Sequence, residues 1–130
     1  MTQNYRTPLG RARGMGSAKH GVGAWVWERI TSVALVPLML WGAYWAVLIA
    51  SAHSRSFVTA WLTQPINAVL MTLLTIIGFA HMHAGMRVVI EDYIGKHGTK
   101  TLLLLANLFV CLLAGALAVF SIFKLALGGV

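Results

Sequence analysis

Acidic residues are nearly absent: Glu28, Glu91 and Asp92 are the only three carboxylate side chains among 130 residues. Cysteine occurs once, as Cys111, inside an apolar run. One cysteine excludes an intrachain disulfide and any cysteine-based metal site. Charged residues of both signs make up 10% of the chain and apolar residues 58%. Soluble domains hold roughly 25% charged and 45–50% apolar residues, so the imbalance points to a membrane protein. The net charge of +7 does not point to nucleic acid. The ten Lys and Arg fall at the ends of apolar runs and form no basic stripe interleaved with aromatics. Their anionic partner is lipid headgroup or another subunit. No internal repeat is visible, and the length suits one domain.

A spanning helix needs about 20 mostly apolar residues. Three segments qualify, at about 30–50, 66–90 and 101–127. Lipid offers the backbone no hydrogen-bond partners, so each segment is predicted to be a helix. The fold class is therefore an all-α membrane protein, with a polar arm over 1–29, a three-helix membrane domain over 30–127 and two short loops. Pro37 falls inside the first span and predicts a local kink. Arg6, Arg11, Arg13, Lys19 and Arg29 precede the first span, and Arg87, Lys96 and Lys100 surround the second loop. Only Arg55 and Lys124 lie on the other side. This bias places the N-terminus in the cytoplasm and the C-terminus in the periplasm. Trp25 and Trp27 suit one membrane interface and Trp61 the other.

Ala50-Ser51-Ala52 resembles a signal-peptide cleavage site. The polar region before the apolar run is too long for one, and the run exceeds the usual ~7–15 residues, so the segment reads as a retained span. The arm, rich in Gly and basic residues, reads as an extended segment lying over the membrane surface or a soluble partner. It is too short for a mitochondrial presequence followed by a mature arm, which makes a bacterial inner membrane the simpler location.

The densest polar chemistry lies in HMHAGMRVVIEDY, residues 81–93. His81 stands ten residues before Glu91, about 15 Å from that helix end at 1.5 Å per residue. A polar group at that depth needs a partner or a cavity. His83 is rotated by about 200° from His81, so the two cannot ligate one metal from one face. His81 has three readings: a hydrogen bond to a neighbouring helix, a proton relay, or an axial ligand to haem. The relay lacks a carboxylate in the core of either other span to continue it. Gly85, one turn from His81, would let a flat macrocycle or another helix approach closely. The other spans carry no histidine in their cores. A bis-histidine haem would therefore take its second ligand from another polypeptide. At the helix end, Arg87 and Glu91 are spaced for an i,i+4 pair, worth a few tenths of a kcal/mol. Asp92 reads as a solvated loop residue and Tyr93 as an interfacial aromatic. Together, a phenol beside a carboxylate with a nearby cation could hold a quinone carbonyl and deliver protons to it.

The pattern H-x-H-x-G-x-x-x-V-x-x-D-Y at 81–93 resembles the second span of the small hydrophobic membrane anchor of succinate dehydrogenase, complex II. W-x-x-E-R-I-T-S-V-A-L at 25–35 resembles the beginning of that family's first span. The length, the three spans and the orientation agree, whereas the third span contributes only hydrophobicity.

The resemblance implies that the chain packs with a second three-helix subunit, a larger cytochrome b556-type anchor, as half of a six-helix bundle. It implies that His81 is an axial ligand of a haem b shared with that partner. Tyr93, with Asp92 before it, would bind ubiquinone. Arg29 matches an arginine near the haem propionates and the quinone pocket. Arg87 stands where some members have an uncharged residue, and is a candidate for propionate contact or for anchoring the helix. Members often carry a histidine just before the first-span arginine. Here Gly23 and Ala24 occupy that neighbourhood, and His20 lies further upstream. The iron–sulfur and flavoprotein subunits would dock on the cytoplasmic face, with Arg11 and Arg13 of the arm contacting a subunit or lipid. The chain would catalyse nothing alone. Two alternatives carry the same spans: an anchor of a quinol:fumarate reductase, and a haem-free structural membrane subunit.

Overall fold

The computed structural model describes residues 7–14 and 21–128. Arg6, Lys19, His20 and the Arg11 side chain fall outside the described residues. Among those described, every regular element is an α-helix: α1 (Pro8–Ala12), α2 (Gly21–Ala52), α3 (Arg55–Leu62), α4 (Pro65–Tyr93) and α5 (His97–Ala126). Three of them, α2, α4 and α5, are long and apolar enough to cross a membrane.

The arm is not uniformly extended. The Gly10 N–H donates to Thr7 Oγ1 at 3.0 Å, so Thr7 caps α1 while Pro8 supplies a preset φ at the first helical position. The second departure is the start of α2, nine residues before Ile30. Its 32 residues span about 48 Å against a hydrocarbon core of about 30 Å. The excess of about 18 Å, roughly three turns, includes the segment bearing Trp25, Trp27, Glu28 and Arg29, which suits a headgroup layer. The helix continues through Pro37. It ends at His53, whose φ of 45° is left-handed and breaks the helical run.

The first loop contains a helix that the apolar-run criterion does not reveal. In α3, Val58, Trp61 and Leu62 are spaced i, i+3, i+4 and share one face. That face closes one end of the protein. Trp61 is 7% exposed, with its ring 5.7 Å from Trp41 and 5.2 Å from Trp45. It lies at the opposite end of α2 from Trp25 and Trp27 and turns inward against Trp41 and Trp45. Asn67, at the start of α4, donates through Nδ2 to the Trp61 carbonyl at 3.0 Å. That buried bond fixes the α3–α4 turn, in which Pro65 opens the helix.

Among the long helices α4 is central. It packs on α2 on one side and on α5 on the other, while the α2 and α5 backbones do not approach each other. The three-residue link from α4 to α5 enforces an antiparallel pair. At the α2–α4 crossing, a Cβ on Gly42 would lie 2.8 Å from Leu74 Cδ2, so the absent side chain sets the approach. Hydroxyls within the spans bond to their own helix: Thr72 donates to the Ala68 carbonyl at 2.7 Å and Thr75 to the Met71 carbonyl at 2.8 Å. These bonds satisfy the groups where lipid cannot. The result is a layer with broad apolar faces. Val33, Val36, Leu40 and Val47 of α2 and Leu112, Leu117 and Phe120 of α5 all remain exposed, leaving surface for lipid or for other helices.

Candidate functional site

The two histidines of α4 face opposite neighbours, as their 200° separation requires. His81 meets α2, where its Nδ1 lies 3.0 Å from Thr31 Oγ1. His83 meets α5, where its Nδ1 lies 3.0 Å from Asn107 Nδ2. Both are half-buried. Both histidines find partners because the central helix has a neighbour on each side.

Hydrogen-bond valence assigns the tautomers. Thr31 Oγ1 lies 3.0 Å from the Trp27 carbonyl and 3.1 Å from the Glu28 carbonyl. Carbonyls only accept, so the single hydroxyl hydrogen is read as going to one of them. What Thr31 offers His81 is a lone pair, and His81 Nδ1–H donates to it. In the uncharged ring, Nε2 then carries a lone pair, and no described residue bonds to it. His83 is the reverse. Asn107 Nδ2 lies within 3.0 Å of both His83 Nδ1 and the His83 carbonyl. Only an NH₂ group satisfies both contacts, so His83 Nδ1 accepts and Nε2 carries the hydrogen. The Cys111 thiol donates to Asn107 Oδ1 at 3.4 Å and completes the amide's partners. Of the two rings, His81 alone can offer Nε2 to a metal without giving up an existing bond.

The space around His81 is consistent with a flat ligand. A Cβ on Gly85, one turn along the helix, would meet nothing within 4 Å. Among the described residues no three His, Cys, Asp or Glu side chains gather closely enough to hold a metal ion. A metal at His81 must therefore bring other ligands with it. A lone imidazole is compatible with a haem, whose macrocycle would bring most of the ligands itself.

A mostly apolar cavity of about 280 Å³ opens between the start of α2 and the second half of α4. Trp27, Glu28, His83 and Arg87 line it. Arg87 Nε lies 3.4 Å from Glu91 Oε1, forming the expected i,i+4 pair, with both side chains nearly half exposed. Lys100 Nζ donates to the Glu91 carbonyl at 2.8 Å, which places a cation at the negative end of the α4 dipole. Tyr93 is 82% exposed and Asp92 is exposed, and neither makes a side-chain hydrogen bond to a described residue. Arg29 lies with its guanidinium 5.0 Å from the Trp25 ring centroid. It is exposed and makes no bond to His81, Arg87 or Tyr93. The chain thus groups Thr31 with His81 and Arg87 with Glu91, but does not by itself gather Arg29, Asp92 and Tyr93 into a pocket.

Thr31 and Asn107 are the residues that sequence reasoning passed over. Asn107 had a signal, an amide in the middle of an apolar span. Replacing Asn107 with leucine is expected to destabilise the α4–α5 pair by about 1 kcal/mol, near the range for interhelical hydrogen bonds in membranes. Reversible unfolding of the purified protein in mixed micelles measures it, and an unchanged midpoint would show that the bond contributes nothing.

A family model described as succinate dehydrogenase/fumarate reductase transmembrane subunit matches residues 3–122. The chain is 36% identical over 107 residues to the succinate dehydrogenase hydrophobic membrane anchor subunit of Rickettsia bellii, covering 82% of this chain and 84% of that protein. It is 32% identical over 124 residues to the anchor subunit of Rickettsia conorii, covering 92% and 98% of the two chains. It is 27% identical over 128 residues to that of Paracoccus denitrificans, covering 97% and 96%.

Proposed function

Because the chain belongs to the succinate dehydrogenase/fumarate reductase transmembrane-subunit family, we propose that it anchors a succinate:ubiquinone oxidoreductase in a bacterial inner membrane and supplies half of a haem b site. The observation that supports the haem reading is His81: half-buried on the central helix, with Nδ1 engaged by Thr31 and Nε2 without a partner among the described residues. The second axial ligand comes from a larger cytochrome b-type anchor subunit, whose three helices complete a six-helix bundle against the open apolar faces. Names of relatives favour the succinate-oxidising direction over fumarate reduction, since those compared are succinate dehydrogenase anchors.

The bound haem would supply one-electron redox chemistry at its iron. His81 would hold it through Nε2, and Gly85 would leave room beside it. At the cytoplasmic end, the Tyr93 hydroxyl donates to a quinone carbonyl, and Asp92 passes protons to it from water. Arg29 and Arg87 bear the positive charge that suits propionates or a reduced quinone oxygen. The two subunits carrying flavin and iron–sulfur clusters dock on that same side, where eight of the ten basic residues lie.

A tagged chain purified from native membranes in mild detergent is expected to bring three further polypeptides. The preparation should show a b-type band on dithionite reduction. Recovery of a chain with neither partners nor haem overturns the reading.

A further inference from the structure

Resting on the assignment of His81 as a haem ligand, we propose that Thr31 is the positioning residue of that ligand. It fixes the His81 tautomer and ring plane and strengthens electron donation through Nε2.

Thr31 is 4% exposed, deeper than any other described residue. Its hydroxyl hydrogen is committed to the backbone of α2, to the Trp27 carbonyl at 3.0 Å or the Glu28 carbonyl at 3.1 Å. The oxygen's lone pair is thereby aimed across the α2–α4 interface at His81 Nδ1, 3.0 Å away. A β-branched side chain in a helix has few rotamers, and this hydroxyl is locked in one by the carbonyls of the preceding turn. The acceptor presented to the imidazole is therefore as rigid as the helix that carries it. Without that acceptor the ring could turn over about its Cβ–Cγ bond, and nothing else among the described residues would decide which nitrogen keeps its hydrogen. An N–H···O bond on the far nitrogen makes an imidazole a stronger ligand, the role such partners play behind metal-bound histidines. A simple staple between α2 and α4 would need a hydrogen bond at this place but would be indifferent to its direction. With the Thr31 hydrogen held by an α2 carbonyl, the bond runs in the direction a ligating Nε2 requires.

The test is made on the assembled complex. Thr31→Val keeps the volume and removes the acceptor, whereas Thr31→Ser keeps the acceptor. The valine variant is expected to bind haem about 10–100-fold more weakly, the usual cost of losing such a partner. Its haem midpoint potential should shift positive, because a weaker donor stabilises ferric iron less. Thr31→Ser is expected to retain wild-type affinity and potential. Where Thr31→Val does not assemble, Thr31→Ala serves, with the same direction of shift. Wild-type potential and haem retention in the valine or alanine variant overturn the proposal for Thr31 alone. Haem retained with an unchanged spectrum in His81→Ala overturns the ligand assignment beneath it, so the two failures are told apart.

Discussion

Replacing His81 with alanine is expected to remove the b-type band from the reduced-minus-oxidised spectrum of the complex while leaving its subunits assembled. The fold has little to lose. His81 contributes one interhelical hydrogen bond, to Thr31, and such bonds in membranes average about 0.6 kcal/mol. The α2–α4 interface keeps its close approach at Gly42, which does not involve the histidine. A haem held as proposed would, in contrast, lose the ligand that this chain contributes. His83→Ala is the matching control. Its ring is the same distance from its own partner, but it lies on the other side of α4 with Nδ1 already accepting a bond. That variant should keep the spectrum and lose only a comparable increment of stability. A normal spectrum in His81→Ala, or loss of haem in His83→Ala alone, would reverse the assignment.

The second large effect is expected at the exposed end of the same helix. Tyr93→Phe should slow quinone reduction by about 100-fold, the scale on which removal of one well-placed donor to a developing oxyanion is felt. Electron transfer from succinate to an artificial acceptor that taps the upstream subunits should stay within twofold of wild type. The separation follows from the surroundings of Tyr93. It is 82% exposed, and its hydroxyl bonds to no described residue, so its removal leaves no internal partner unsatisfied. Surface changes of this kind usually alter stability by less than about 0.5 kcal/mol. If both activities fall together, Tyr93 supports assembly and does not serve the quinone.

The spans could be read from the sequence because a bilayer demands long apolar helices whatever their neighbours are. The ends and connections were harder. The first turns of α2 are rich in Trp, Glu and Arg, so a hydropathy criterion stops at Ile30, although the backbone hydrogen bonding begins at Gly21. The eight residues of α3 are too few and too mixed to stand out, and their apolar face has meaning only once the ends of α2, α4 and α5 are there to receive it.

The site shows the same division. The opposed directions of His81 and His83 follow from helical rotation alone. Their partners do not, because no single-helix period says which helix lies alongside. Thr31 stood within the ERITSVAL segment that carries the family resemblance, yet it carried no chemistry of its own until α2 was placed against α4. The same resemblance pointed to Arg29, which the structure places over Trp25 and apart from His81. Asp92 and Tyr93 present their groups outward, as residues of a pocket shared with other chains would.

The central position of α4 also bears on how the protein is made. Contacts between spans join only consecutive ones, α2 with α4 and α4 with α5, which is a topology of low contact order and rapid pairing. Synthesis delivers the helices in that order. The first hairpin can therefore close, and Thr31 can set the His81 ring, before the third span has left the ribosome. The bond from Asn107 to His83 comes afterwards, on the far side of α4, and never competes for His81.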